Sequence, residues 1–383
     1  MSELRKFVAP EFLFGLDARK LLGRYARNLG ARRVLLVSDP GVDAAGWTNE
    51  AAGFLQEEGL EVTRYLDVSP NPRSGEVAGG VAVYRSSGSD LIAAVGGGSA
   101  MDCAKGIGIV ATNGGSILDY EGVDEVRIPM PPLLCVPTTA GSSADVSQFA
   151  IINDADERVK IAIISKAVVP DVALIDPRTL LTLNPFLTAC TGLDALVHAI
   201  EAFVSNANSA VTDVHALEAM RLVAAHLEAS VGEPEDLERR TCIMQASLHA
   251  GLAFSNASLG AVHAMAHSLG GFKDLPHGEC NALLLAHVID FNFPAAPERF
   301  RRVAEALGAH PRGLPDAQVR SALVDRILAL RTACGIKGGL ASRGISAGDA
   351  PHLASKAFDD PCVATNPREP SPGDLEALFL EAL

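Results

Sequence analysis

A few polar side chains set into apolar sequence are the first candidates for chemistry. In "TGLDALVHAIEAF" (191–203), Asp194 and His198 lie four residues apart and share a helix face, with Glu201 three residues beyond. The same stripe holds Leu193, Leu196, Val197 and Ile200, so the helix is expected to be buried. An unpaired buried Asp or His costs on the order of 1–3 kcal/mol, so both need partners. A hydrogen bond between the two meets that need without any metal. In "GAVHAMAHSLGGFKDLPHGE" (260–279), His263 and His267 repeat the four-residue spacing, and His277 follows a glycine pair and a proline. Taken together, Asp194, His198, His263 and His277 offer one carboxylate and three imidazoles. That set suits a first-row dication such as Fe²⁺ or Zn²⁺, whereas calcium and magnesium want more oxygen. A nitrogen-rich set with an open position is of the catalytic type.

A second candidate lies upstream. "AAVGGGSAMDCAKGIGIV" (93–110) reads as strand, three glycines, serine, then helix. Glycines permit close backbone approach, and the helix N-terminus that follows offers free N–H groups and a favourable dipole for a pyrophosphate. It is not GxGxxG, and the acidic residue after an earlier strand, Asp39, precedes the glycines rather than following them. Taken alone, the glycine run also fits a tight turn, and Asp39 fits a helix cap. The polar loop "PTTAGSSADVS" (137–147) follows another strand and carries hydroxyls suited to the same cleft or to plain turn chemistry.

The elements that would position these groups fall into two halves. "RRVLLV" (32–37), "LEVTRY" (60–65), "DLIAAV" (90–95) and "LLCV" (133–136) read as strands buried on both faces, with amphipathic helices between them. That alternation predicts a parallel sheet covered by helices. Two apolar runs around an Asn/Asp-rich turn at 147–164 predict a β-hairpin at the edge of this half. From about Asn184 the apolar spacing becomes three and four, and the second half is predicted to be helical. "DPRTLLTLNP" (176–185) is the expected connector, giving domains of 1–183 and 184–383.

Bulk properties narrow the class. The chain has 383 residues, 48% hydrophobic and 20% charged, which fits two globular domains. A net charge of -14 argues against nucleic acid or an anionic membrane as the main partner. Seven scattered cysteines without a CxxC predict reduced thiols, hence a cytoplasmic protein. The N-terminal residues carry no apolar signal region, and no uninterrupted apolar run approaches the ~20 residues of a membrane helix.

In combination, six motifs resemble the iron-containing (group III) alcohol dehydrogenase family over essentially the whole chain. They are "GGGSAMDCAK" (96–105), "PTTAGSSAD" (137–145), "TGLDALVHAIEAF" (191–203), "GAVHAMAHSLGG" (260–271), "PHGECNALLL" (276–285) and "ATNPR" (364–368). The resemblance implies a Rossmann-like NAD-binding domain followed by an all-helical metal domain of dehydroquinate synthase-like fold, with the site in the cleft between. It implies that Asp194, His198, His263 and His277 ligate the metal, and that His267 lies near the nicotinamide. It places the pyrophosphate on Gly97, Gly98 and Ser99, with Asp102, Thr138, Thr139, Ser142 and Lys160 also at the cofactor. Asp39 would contact the adenosine ribose, which favours NAD over NADP because a carboxylate repels a 2′-phosphate. The chain departs from the family's common PTTAGTGSE, here "PTTAGSSAD", and from its NPT, here Asn71-Pro72-Arg73. The variant "GSSADVSQFAII" (141–152) is similar to a branch linked to ethanol and short primary alcohols.

The implied reaction is reversible hydride transfer to nicotinamide from a metal-bound alkoxide, giving an aldehyde. His267 would pass the alcohol proton outward or simply pack on the cofactor. The small-molecule substrate is an alcohol or aldehyde, and a homodimer or larger homo-oligomer is expected. Three rivals remain open at this point: a dehydroquinate synthase-like lyase, a glycerol dehydrogenase-like zinc enzyme, and a non-catalytic nucleotide sensor. The lyase would need basic residues near the metal, where Lys273 is the main one present. The sensor would be expected to have lost a ligand, and all four positions are filled.

Overall fold

The computed structural model describes residues 4–157 and 159–383. Residues 8–183 form one compact unit. Its elements are β1 (Glu11–Phe14), α1 (Leu22–Asn28), β2 (Arg33–Val37), α2 (Pro40–Ala44), α3 (Trp47–Glu57), β3 (Glu61–Tyr65) and α4 (Ser74–Ser87). They continue with β4 (Leu91–Gly96), α5 (Gly98–Asn113), β5 (Gly122–Val123), β6 (Leu133–Pro137), β7 (Phe149–Asp154), β8 (Val159–Ile164) and β9 (Val172–Ile175). Six strands form one parallel sheet in the order β1-β9-β6-β4-β2-β3.

The strand residues explain the layers. Leu35, Val37, Ile92, Ala94, Leu133 and Cys135 face one core with Val77, Val81, Ala104 and Ile107 of α4 and α5. The alternate residues Val34, Leu36, Leu91, Ala93, Leu134 and Val136 face a second core with Leu22, Ala26 and Leu55 of α1 and α3. Period-two side chains buried on both faces read as continuous apolar runs, as expected of a covered parallel sheet.

The predicted hairpin forms, with β7 and β8 antiparallel. It belongs to a separate three-stranded sheet, β5-β8-β7, instead of extending the edge of the main one. That edge is β1, paired to β9 beside it, both four-residue strands too short to stand out in the sequence pattern.

Residues 184–383 form the second unit, joined by the described residues before Val8. Arg5 donates to the carbonyls of Asn206 and Asn208, and Phe7 stacks over His215 at 6.0 Å, so these residues belong with the helices. The unit contains α6 (Pro185–Val204), α7 (Ala210–Gly232), α8 (Leu237–Ala257), α9 (Ala261–Lys273) and α10 (His277–Asn292). After these come α11 (Pro297–Ala306), α12 (Asp316–Ala333), α13 (Ala350–Phe358) and α14 (Pro372–Glu381). The side chain of Asn184 caps α6 by accepting from Leu187 N, and Pro185 occupies the first turn, where its missing N–H costs nothing. By length and composition α6 could cross a bilayer. Instead, 89% of its most apolar window is buried inside the protein, as in the central helix of a bundle.

Candidate nucleotide loop and metal centre

In the α/β unit the strand order reverses at β2. The chain runs outward from β2 to β3, then returns to the other side of β2 for β4. Ligands of open α/β sheets bind outside the carboxyl ends of strands at such a switch point. Three of the sequence-predicted segments meet at these ends.

Asp39 follows β2 and caps α2, its Oδ1 accepting from Gly41 N at 2.9 Å and Val42 N at 3.0 Å. Its Oδ2 points toward the loop after β4, 3.4 Å from where a Cβ on Gly96 would stand. The cap reading is therefore correct and leaves the second oxygen available. Gly97 and Gly98 open α5. A Cβ on Gly97 would lie 3.0 Å from Thr139 Cγ2, and one on Gly98 would lie 2.8 Å from the Ser142 side chain. Only glycine lets the hydroxyl-rich loop after β6 press this closely on the helix start. The Thr138 amide donates to Gly96 O at 2.9 Å, fixing the two loops together.

Ser99 Oγ accepts from Asn71 N at 3.3 Å, and Lys160 Nζ donates to Asn71 Oδ1 at 2.6 Å. Asn71-Pro72-Arg73, noted in the sequence as a departure, thus links the glycine loop to the hairpin. Asp102 lies half-buried one turn into α5. Burial pushes its carboxyl up to about 7 against the opposing influence of Lys105 and Lys160. Lys105 is fully buried, its ammonium donating to the carbonyls of Ser147 and Phe149. It anchors α5 to the start of β7.

In the helical unit, α6 presents Asp194, His198 and Glu201 on one face, as the four- and three-residue spacing predicts, and all three are buried. α9 contributes His263, and α10 begins at His277. Gly278 allows that start: a Cβ there would meet Cys190 O of α6 at 2.1 Å. One ligand atom each from Asp194, His263 and His277 lies within 4.8 Å of the others. Asp194 Oδ1 is 3.8 Å from His263 Nε2 and 3.7 Å from His277 Nε2. Spacing of this order is what donor atoms need to share one dication, whose bonds to nitrogen and oxygen are about 2.0–2.2 Å. His198 stands beside this trio. Its ring stacks between Phe254 at 4.2 Å and His263 at 4.5 Å, and its Nδ1 is 3.9 Å from Asp194 Oδ2.

The electrostatics match a cation site. Burial disfavours the Asp194 carboxylate, yet the imidazoles of His198, His277 and His263 hold its pKa well below the usual range. Burial also disfavours a charged His263, but Glu201 and Asp194 reverse this and raise its pKa to about 9. The group that does most is Glu201, given no role by the sequence reading. Its Oε2 accepts from His263 Nδ1 at 2.5 Å and its Oε1 from Val262 N at 2.7 Å. That bond assigns the Nδ1 proton of His263 and leaves Nε2 for a metal, the carboxylate–histidine arrangement of many metal sites. The only sequence signal was its three-residue offset from His198.

His267 is not part of the trio. Its Nδ1 is 2.8 Å from Asp360 Oδ2, and its ring stacks on His277 at 5.3 Å. Burial opposes the charge of Asp360, while His267 and the Cys362 amide lower its pKa. Asp360 lies 93 residues away in sequence, and no spacing rule points to it. Asn366 of the "ATNPR" motif accepts from Ala261 N at 3.1 Å and pairs reciprocally with Asn292, so it caps α9. All seven cysteines are free.

A chain carrying both a switch-point nucleotide loop and a nitrogen-rich dication set has the equipment of a metal-dependent, nucleotide-linked dehydrogenase. Comparison with known proteins gives the particular family. Residues 9–177 match the model described as iron-containing alcohol dehydrogenase, and residues 188–383 match the Fe-containing alcohol dehydrogenase family, C-terminal. The chain belongs to the iron-containing alcohol dehydrogenase family. It is 40% identical over 380 residues to alcohol dehydrogenase 4 of Schizosaccharomyces pombe, covering 98% of this chain and 89% of that one. It is 37% identical over 377 residues to the NAD-dependent methanol dehydrogenase of Bacillus methanolicus, covering 98% and 99%. The crystal structure of a 1,3-propanediol oxidoreductase superposes with a TM-score of 0.96 at 38% identity, covering 100% of both chains. The protein is an oxidoreductase that interconverts alcohol and aldehyde with NAD, and the family's metal is Fe²⁺. The lyase and sensor alternatives are thereby set aside.

Proposed function

We propose that the protein reversibly oxidises a short primary alcohol to its aldehyde, using NAD and a divalent iron held by Asp194, His198, His263 and His277. Zn²⁺ suits the same donors. The observation that carries this reading is the convergence of Asp194, His263 and His277 within 4.8 Å, with His263 already turned by Glu201 to offer Nε2. When bound, the ion acts as a Lewis acid that lowers the pKa of a hydroxyl and polarises a carbonyl.

The chain's own residues supply the rest. Gly97, Gly98 and Ser99 at the start of α5 receive the pyrophosphate, and the free oxygen of Asp39 takes the ribose. Asp102, Thr138, Thr139, Ser142 and Lys160 line the cofactor. His267, with its Nδ1 proton on Asp360, keeps Nε2 available to accept and release the alcohol proton. In this division of labour residues 8–183 serve the nucleotide and 184–383 the metal. Relatives named methanol dehydrogenase and 1,3-propanediol dehydrogenase support a small primary alcohol as substrate. Free thiols support a reducing cytoplasm, and we expect a homodimer or larger homo-oligomer.

Anaerobic purification with metal analysis, followed by NADH formation at 340 nm over a panel of alcohols, tests the reading. His263→Ala should lose the metal and nearly all turnover while still binding NAD. Full turnover in a metal-free preparation refutes it.

A further inference from the structure

The motif "PHGECNALLL" contributes His277 to the metal centre, and its asparagine is so far unexplained. Asn281 lies one turn beyond His277 on the same face of α10 and is completely buried. Its Nδ2 is 2.7 Å from Asp194 Oδ1, 3.1 Å from His263 Nε2 and 3.2 Å from His277 Nε2. One amide nitrogen thus reaches ligand atoms from three helices. Its Oδ1 is also buried and accepts no hydrogen bond. An asparagine that serves only packing would satisfy both ends, because each buried unsatisfied group costs about 1–3 kcal/mol. Here the acceptor end is sacrificed and the donor end is directed at the ligand set.

The three contacts are not equivalent. The imidazole lone pairs at Nε2 are the pairs a cation takes. A carboxylate oxygen has two lone-pair directions, so it can accept from an amide and still face a metal. We propose that Asn281 is a positioning residue of the metal centre. Its N–H fixes the rotation of the Asp194 carboxylate and withdraws charge from the oxygen that faces the imidazoles. Glu201 on His263 and Asn281 on Asp194 then form a complementary pair, an acceptor behind the imidazole and a donor behind the carboxylate. Partners of this kind typically account for 10–100-fold in metal affinity.

This inference rests on the metal reading above, and the test separates the two. Co²⁺ is titrated anaerobically into metal-free wild type and Asn281→Leu, following both the dissociation constant and the visible ligand-field spectrum. Leu keeps the branched shape of Asn but is bulkier and has no donor. Asn281→Ala removes the donor without crowding and is run beside it. The expected result is 10–100-fold weaker Co²⁺ binding in both variants, with a changed spectrum because the carboxylate is no longer held. Wild-type affinity, or weaker binding with an unchanged spectrum, in whichever variant folds overturns the assignment. Failure of the wild type to bind Co²⁺ would instead strike the metal reading itself.

Discussion

Glu201→Gln gives the sharpest test of how the metal centre is tuned, because it should change a slope as well as a value. Glu201 holds the Nδ1 proton of His263 and, with Asp194, raises the imidazole pKa from 6.5 to about 9. A metal can bind Nε2 only after that site has lost its proton. Between pH 7 and 8.5 the imidazole is mostly protonated, so each pH unit should change the apparent affinity about tenfold. Over that interval the wild type should gain about thirtyfold as pH rises. Gln is neutral, so the pKa of His263 falls back toward its ordinary value and the proton no longer competes. The variant's affinity should change by less than about threefold over the same interval. Losing the carboxylate behind the imidazole also weakens the ligand itself by about 10–100-fold. At pH 8.5 the variant should therefore bind roughly three to thirty times more weakly, while near pH 7 it should bind about as tightly as the wild type or up to about tenfold more tightly. Anaerobic Co²⁺ calorimetry at four pH values reads this directly. Parallel curves for wild type and variant would show that Glu201 does not control His263.

Further predictions concern the α/β unit. Asp39→Gly should improve the use of NADP relative to NAD. Its effect on stability should stay within a few tenths of a kcal/mol, since glycine is a tolerable cap for α2; an unchanged cofactor preference in paired NAD and NADP kinetics would count against Asp39 as the selector. Asp145 is buried, and burial pushes its carboxyl up to about 6, against its own backbone amide and Lys105. A raised carboxyl favours the fold while protonated, so this contribution is complete below about pH 4 and is lost as pH rises through 6. Asp145→Asn should gain about 1–2 kcal/mol relative to wild type between pH 5 and pH 8. Urea unfolding at the two pH values checks this, and equal shifts at both would contradict the burial argument.

The residues that were legible in the sequence are those whose role follows from local spacing. Asp194 and His198 at i, i+4 had to share a helix face, and buried strands such as "DLIAAV" had to be covered on both sides. The three glycines at the junction of β4 and α5 were legible as a close-approach loop, although not what approached Gly97 and Gly98, which proves to be Thr139 and Ser142. Partners brought in by tertiary folding were not legible. Asp360 reaches His267 across 93 residues, and Asn366 caps α9 across 105. Asn281 was within reach of a spacing argument, four residues after His277, but an asparagine in an apolar run looks like any buried amide until its donor is seen on Asp194. The small strands β1 and β9 were missed for a different reason: four residues carry too little periodicity to separate strand from loop.

Charge balance explains why the helix ends at this site are built as they are. His263 is the third residue of α9 and His277 the first of α10, so two candidate ligands sit in the first turns of helices, where the partial positive charge of the N-terminus disfavours a cation. Taken alone, that arrangement repels the ion. Glu201 answers it twice, accepting the Val262 amide in the first turn of α9 while holding His263, and Asn366 takes the neighbouring Ala261 amide. With Asp194 and Glu201 ionised and the imidazoles neutral, the two negative charges match a dication. In the absence of the ion, the raised pKa of His263 restores part of that balance with a proton. Burying an unbalanced charge costs several kcal/mol, so the carboxylate behind the histidine is as necessary to the centre as the carboxylate that faces the ion.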